Sequence, residues 1–432
     1  MMSDPVVVLG FGAASVSAIT ALREAGYGGR LVVVTDSGSE PYSPVLISYY
    51  AGGRVERSQC FTWADLDVSS MVDELVTHAR IESLDPSTHE VKLADGRRIR
   101  YSKLLVATGA HPIAPGFPHV DGFEPLMLRT LHDAECLRAA LERESCRSVL
   151  VSGTSMVGLK ALEACLDQGV SVTLLGRSSH IMRGAAHPTI AGRFEELLAK
   201  RGVALRLSQA VDNVEVVQAP QDASSALDDA GASTSCAITF STGDTERFDE
   251  VILAQGVKPN LDFVAVCNFA LDIDRGLAVD RFMRTDLPDV YAAGDVARAL
   301  DLQTGARRII GLWQNAVQQG RCAGRAIAAE LASLALSHPF PGSIPANTIH
   351  VRDILFASAG SMDGGPRADG ESVRFEVSES HDTMRMLAYR TVGCAEQLVG
   401  FNILSVLSES DRHDELNCEI GKYRREILNS LL

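Results

Sequence analysis

Two runs of small residues carry the chemistry that is easiest to see in this chain. Val6-Val7-Val8-Leu9 leads into Gly10-Phe11-Gly12-Ala13-Ala14-Ser15, and Val149-Leu150-Val151-Ser152 leads into Gly153-Thr154-Ser155-Met156-Val157-Gly158. Each follows an apolar strand-like run and opens a helical pattern, the context in which a glycine-rich turn binds a dinucleotide. In the first loop Gly10 permits the tight turn and Gly12 lets the backbone approach a pyrophosphate. The helix that begins near Ser15 offers N–H groups to phosphate oxygens. Asp36 ends the next strand, where a carboxylate accepts hydrogen bonds from a ribose. Two loops of this kind point to two nucleotides, a flavin and a nicotinamide held against each other.

The second loop departs from the first. Ser155 stands at its middle glycine position and narrows the approach for a pyrophosphate. Its second strand ends in Leu174-Leu175-Gly176-Arg177-Ser178-Ser179, with no carboxylate for a ribose. Gly176, Arg177 and the serines suit a 2′-phosphate better, which favours NADPH over NADH. Lys160 falls in the first helical turn, against the helix macrodipole. A ligand phosphate, a substrate carboxylate, a reduced flavin or plain solvation would each account for it.

Alternating elements must hold these loops. Val6–Leu9, Ser15–Ala25 and Leu31–Thr35 predict a strand, a helix and a strand, and 149–176 repeats the plan. That alternation predicts an α/β fold with parallel, doubly wound sheets. Between the repeats lie a hairpin-like run at 90–101 and a buried strand at Leu104–Ala107. A helix at Ile190–Arg201, strands at Val203–Leu207 and Val251–Ala254, and a long helix over 310–334 follow. The Ala-, Ser- and Asp-rich stretch 218–236 predicts a mobile loop. Past Pro339, short strands at Met386–Arg390 and Leu398–Ile403 and a helix near Asp414–Leu432 predict a smaller α+β domain.

Further turns accompany the loops. Leu105-Val106-Ala107-Thr108-Gly109-Ala110 and Asp289-Val290-Tyr291-Ala292-Ala293-Gly294-Asp295 are strands ending in small residues. The Asp295 carboxylate suits a ribityl hydroxyl, and the helix after it a phosphate. With Gly256-Val257-Lys258-Pro259-Asn260, Leu312-Trp313-Gln314-Asn315-Ala316 and Gln319-Gly320-Arg321, these motifs make residues 5–335 resemble the two-dinucleotide-domain flavoprotein reductases. That superfamily includes NADH oxidases, ferredoxin and rubredoxin reductases, and pyridine nucleotide–disulfide reductases.

The resemblance implies two nested Rossmann-like domains plus a C-terminal α+β domain. FAD would be bound by 1–112 and 266–336, NAD(P)H by 113–265, and 337–432 would serve interfaces or dimerisation. It implies FAD contacts from Gly10, Gly12, Ala13, Ala14, Ser15, Asp36, Ser37, Pro44, Ile81, Ala107, Thr108, Gly109, Gly294, Asp295 and Trp313. Gly153, Ser155, Met156, Val157, Gly158, Gly176, Arg177 and Gly256 would hold NAD(P)H. The stretch Glu40–Tyr50 would run beside the isoalloxazine, where relatives place a redox-active cysteine near Val45. This chain has no cysteine before Cys60, which predicts turnover without a thiol. Lys160 takes the place where relatives often carry a glutamate facing the flavin–nicotinamide junction. Lys160, Tyr49 and Trp313 are the candidates for tuning the reaction.

The implied activity is passage of electrons from NAD(P)H through FAD to a carrier protein, oxygen or a small organic molecule. The alternative is a flavin dehydrogenase, or the flavoprotein subunit of a larger complex, whose second nucleotide site is degenerate. A non-enzymatic flavin-binding sensor ranks third, because the flavin half carries no damaged motif. Its expected partners are a small-molecule substrate or a redox carrier protein, with the chain a homodimer or a subunit of a larger oxidoreductase complex.

Bulk properties agree. The 432 residues, 46% hydrophobic and 22% charged, allow two or three domains. The net charge of −15 argues against nucleic acid and anionic membranes as partners. No apolar run is long enough to span a bilayer, and Met1-Met2-Ser3-Asp4-Pro5 lacks the basic start of a secretory leader. A cytoplasmic location is expected. The nine cysteines are scattered, which disfavours a metal centre and predicts mostly small buried apolar residues.

Overall fold

The structure is a computed structural model. It describes residues 4–114, 116–218, 234–264, 275–362, 373–380, 382–392, 395–407 and 412–431. The first glycine loop belongs to a five-stranded parallel sheet in the order Val290–Ala292, Lys103–Val106, Val6–Leu9, Leu31–Val34 and Glu74–Val76. The strands Val6–Leu9 and Leu31–Val34 are buried at every position. Such unbroken apolar runs are what a parallel strand covered on both faces requires. The last element to join, Val290–Ala292, returns from far along the chain and brings Gly294 and Asp295 beside the first loop.

Two helices pack on this sheet at close range. Ala13–Glu24 lies against Trp313–Leu331, and a Cβ on Gly320 or Gly324 would come within 2.1 or 2.3 Å of the carbonyl oxygens of Ala14 and Ala18. These two glycines, one turn apart on one helix face, set the distance between the helices.

The second loop belongs to a four-stranded parallel sheet in the order Ala204–Leu207, Ser171–Gly176, Ser148–Ser152 and Glu250–Leu253. The helix Met156–Asp167 follows the loop, and Pro188–Lys200 begins with a proline in its first turn. An antiparallel layer of Val211–Gln218, Thr234–Phe240 and Thr245–Phe248 covers one side. Gln218 and Thr234–Cys236, expected in a loop, are instead paired strand residues, because Cys236, Ile238 and Phe240 alternate into a core where each is 0% exposed. The rest of that expected loop lies outside the described residues, as do Cys267 and Cys394.

The C-terminal part is a five-stranded antiparallel sheet in the order Ala346–Val351, Ile354–Gly360, Ala395–Val406, Thr383–Val392 and Val373–Glu379. The helix Arg412–Leu431 lies on it through Leu416, Ile420 and Ile427. Cys60, Cys146, Cys165, Cys236 and Cys322 are buried, while Cys136 is half-buried and Cys418 exposed. Among the described residues, no helix is long and apolar enough to cross a membrane.

Candidate functional site

The first loop is shaped by contacts only glycine tolerates. Gly10 has φ +96°, and a Cβ there would lie 2.3 Å from the Ala107 carbonyl oxygen. A Cβ on Gly12 would meet nothing, so open space faces the loop there. Gly12 caps the helix Ala13–Glu24 without a side-chain hydrogen bond, which leaves its first N–H groups for a ligand. Ser15 is 0% exposed, and its Oγ has no partner among the described residues. Such an orphan costs about 1–3 kcal/mol unless a ligand atom at the loop satisfies it. Asp36 and Ile81 line one crevice with Gly10, Thr108 and Asn260. Ser37 is engaged in its own turn, its hydroxyl 2.8 Å from that of Ser39.

Across the sheet, Gly294 takes φ +79° and donates its N–H to the Gln319 side chain at 2.9 Å. Asp295 accepts from Arg129 Nη2 at 2.8 Å, while Arg129 Nε donates to the Ala110 carbonyl at 3.0 Å. Arg129 is absent from the sequence reading. Its signal is the capping box of Thr130 and Asp133, which starts the helix Leu131–Leu141 and fixes the preceding residue. Asn260, which ends the Gly256–Asn260 motif but was given no site role, bonds the Thr108 carbonyl at 2.8 Å and lies 2.6 Å from His111. It locks the junction where Val257–Pro259 pairs with Ala110–Pro112.

A cleft lies where the three parts meet. Pro44, Val45 and Tyr49 form one wall, Met156, Val157, Lys160 and Val257 another, and Thr348 and Ile349 reach in from the C-terminal sheet. Val45, Val157 and Val257 are 53, 42 and 48% exposed. Apolar side chains bared on facing walls suit a flat ring between them. The lining contains the cations Arg129 and Lys160 and no carboxylate.

Lys160 is held on both sides. Its Nζ sits 3.7 Å from the centroid of the Tyr49 ring and pairs with Glu163. Glu163, 2% exposed, also pairs with Arg54 at 2.9 Å and accepts the backbone N–H of Arg352 at 2.6 Å. Burial works against the Arg54 charge, but its hydrogen bond to the Asp167 carboxylate and the charge of Glu163 keep its pKa above the ordinary value. The lysine that opposes the helix macrodipole is thus compensated by its own chain one turn later. Trp313 is elsewhere: it is 37% exposed, 5.8 Å from the Trp63 ring, and does not line the cleft. The structure brings Lys160 and Tyr49 together and leaves Trp313 apart.

The second loop repeats the backbone of the first. Gly153 has φ +133°, with a Cβ position 2.1 Å from the Ala254 carbonyl oxygen. A Cβ on Gly158 would sit 1.9 Å from the Gly153 carbonyl oxygen. Ser155 is the exposed cap residue of the next helix and makes no side-chain cap bond. Gly176 is required by packing, since its Cβ would fall 2.5 Å from Thr154 Cγ2. Arg177 and Ser178 share a crevice with Arg183, which sequence reasoning passed over because it lies in an irregular segment. Both arginines are exposed, neither has an ion-pair partner among the described residues, and the crevice lining has no carboxylate. Gln255 donates to Ser152 Oγ at 2.8 Å and leaves its Oε1 buried without a partner among the described residues. This crevice shares Ser155, Ala254 and Gly256 with the cleft.

Known proteins resemble the chain over most of this frame. It is 29% identical over 344 residues to the NADH-dependent phenylglyoxylate dehydrogenase subunit epsilon of Aromatoleum evansii, covering 80% of this chain and 76% of that one. Rhodocoxin reductase of Rhodococcus erythropolis is 28% identical over 319 residues, 73% of this chain and 70% of its own. An engineered water-forming NADPH oxidase with NADPH bound, a variant of the Lactobacillus brevis NADH oxidase, superposes with a TM-score of 0.80 at 19% identity, covering 98% of this chain and 91% of that one. The family model for pyridine nucleotide-disulphide oxidoreductases matches residues 4–320, and the chain belongs to that family.

Proposed function

We propose that the chain is an FAD-containing oxidoreductase that draws electrons from NADPH and passes them to a second acceptor, a redox carrier protein. The observation that carries this is an apolar cleft without carboxylates that shares Ser155, Ala254 and Gly256 with the second glycine crevice, beside a first glycine loop whose buried Ser15 Oγ has no partner among the described residues. FAD supplies the redox chemistry when bound. The residues of the chain hold and orient. Gly10, Gly12 and Ser15 receive the pyrophosphate, Asp36 the ribose, and Gly294 and Asp295 the ribityl side. Residues 1–112 and 266–336 form the flavin-binding unit, 113–265 the nicotinamide-nucleotide unit, and 337–432 the interface unit. Lys160 and Tyr49 present a fixed positive charge and an aromatic face at the junction, which favours electron-rich ligands there. Trp313 and Trp63 flank the flavin unit as a partly exposed aromatic pair.

The choice of NADPH rests on charge. Arg177 and Arg183 have no ion-pair partner among the described residues and share a crevice whose lining has no carboxylate, the setting in which a 2′-phosphate is bound by charge-assisted hydrogen bonds. Support comes from the engineered NADPH oxidase. Its changes convert an Asp-Ala-Met run to Ala-Arg-Ser and, five residues on, a proline to arginine. This chain carries Gly176-Arg177-Ser178 and, five residues on, Arg183. A carrier-protein acceptor follows from relatives such as rhodocoxin reductase and putidaredoxin reductase, whose names join a reductase to a carrier.

Anaerobic stopped-flow mixing with NADPH or NADH, following flavin absorbance, tests both parts. Faster bleaching by NADPH is expected. Equal or faster bleaching by NADH overturns the preference. Absence of bleaching by either overturns the nicotinamide reading and favours a flavoprotein subunit of a larger complex, the role named for the phenylglyoxylate dehydrogenase relative.

A further inference from the structure

Between the strand Ser171–Gly176 and the helix Pro188–Lys200 the chain makes an irregular turn that carries Arg183, exposed and lining the crevice of the second loop. Met182 before it has φ +53° and Gly184 after it φ +82°. Left-handed backbone disfavours a side chain such as methionine, so the contacts around the turn must hold it. They come from both flanks. On the near side Glu195 reaches back from the helix. Its Oε1 accepts the Ile181 N–H at 2.9 Å and lies 3.2 Å from His180 Nδ1. On the far side Asn402, from the strand Ala395–Val406 of the C-terminal sheet, accepts the His187 N–H through Oδ1 at 2.7 Å. Its Nδ2 donates to the Ala185 carbonyl at 2.9 Å. The Met182 N–H donates to the Thr154 carbonyl at 2.9 Å, which ties the turn to the glycine loop itself.

Asn402 is 0% exposed, and a buried amide is tolerated where its polar atoms are paired. Because these partners are backbone groups of the turn, the amide specifies where the turn sits as well as satisfying itself. A cation on a loose turn gives up freedom when it meets its ligand, and a turn fixed beforehand lowers that cost. We propose that Glu195 and Asn402 are positioning residues that clamp the turn from its two sides and keep Arg183 in the crevice to meet the 2′-phosphate of NADPH. The assignment rests on reading that crevice as the NADPH site. It gives the C-terminal sheet a part in choosing between the two nicotinamide nucleotides, although Asn402 does not itself line the crevice.

The test is calorimetric titration of the FAD-loaded full chain with NADP+ and with NAD+, which leave the flavin oxidised. Glu195→Ala and Asn402→Ala should each weaken NADP+ binding about threefold or more, the size of coupling within one hydrogen-bonded network, and leave NAD+ binding unchanged. Glu195→Gln keeps an acceptor for the Ile181 N–H and should fall between Glu195→Ala and the parent. In an Arg183→Ala background Glu195→Ala should cost NADP+ nothing further, because the clamp acts through that arginine. Equal losses for both nucleotides overturn the proposal, as does a loss that persists in full without Arg183. Should Asn402→Ala fail to fold, the Glu195 variants decide alone. A selective loss of NADP+ in Arg183→Ala with none in Glu195→Ala overturns the clamp and leaves the NADPH reading standing. No selective loss in Arg183→Ala overturns that reading and the clamp with it.

Discussion

The two glycine loops share a backbone and differ in what they offer a ligand. In each, a glycine at positive φ presses against the carbonyl at the end of a neighbouring strand, Gly10 on Ala107 and Gly153 on Ala254. The difference begins at the middle position, Gly12 in one loop and Ser155 in the other, and continues at the third. Gly158 is squeezed against its own loop, whereas Ser15 is enclosed with an idle hydroxyl. It widens at the next strand end, where Asp36 faces one crevice and Arg177, joined by Arg183, the other. The first glycine therefore answers to the fold, and the strand-end residue answers to the nucleotide.

The largest effects should come from the shared glycines. Gly10→Val or Gly153→Val adds strain at positive φ and a backbone collision, on the order of 3 kcal/mol or more each. Gly10→Val should purify without FAD, seen as lost flavin absorbance. Gly153→Val should keep FAD and lose reduction by nicotinamide nucleotides. Loss of FAD from both would mean that the two loops are not separable sites.

Next in size is the charge at the second strand end. Arg177→Ala and Arg183→Ala should each weaken NADPH binding roughly tenfold or more, from about 1.5–3 kcal/mol per charge-assisted hydrogen bond. NADH binding should barely change. Calorimetric titration of each nucleotide reads this difference, and equal losses for both nucleotides would erase the contrast with Asp36.

A smaller effect separates ligand from fold at the first loop. Ser15→Ala should leave the FAD-free protein as stable or about 1 kcal/mol more stable, since it removes a buried unpaired hydroxyl, yet weaken FAD by about 1–3 kcal/mol. Thermal unfolding with and without added FAD reads both. Lowered stability without FAD would assign the hydroxyl a structural partner instead.

The smallest effect lies in the tie between the second loop's unit and the C-terminal sheet. The hydrogen bond from Arg201 holds the Asp353 carboxyl below its ordinary pKa. Its stabilisation is therefore present above the ordinary carboxylate value of about 4 and is lost as pH falls through the lowered value. With Asp353 42% exposed, solvent screening leaves about 0.5 kcal/mol or less. Asp353→Asn should cost that much in urea unfolding at neutral pH and nothing at acid pH.

The central strands of both parallel sheets were legible in the sequence, because a strand buried on both faces must be an unbroken apolar run. Glu74–Val76 was not, since an edge strand with two exposed residues has no such pattern. Ala346–Val351, an edge strand of mixed burial, lacks it too, whereas Ile354–Gly360 is an interior strand buried at six positions that went unassigned despite its apolar run. Within the site, Gly10, Gly12, Ser15 and Asp36 were legible through spacing alone. Lys160 was visible as an oddity, but four explanations stayed open until Glu163 and Tyr49 were found on either side of it.

The amino-acid order by itself determined which residues must turn, which must be buried and which nucleotide chemistry each loop invites, because those depend on neighbours within a few positions. The tertiary structure alone decided that Arg129 meets Asp295, 166 positions away, and that Arg201 meets Asp353, 152 positions away. Arg183 joins Arg177 through the path of one irregular segment. Only packing, which is non-local, can bring a charge to the place where its solvation and its partner are settled.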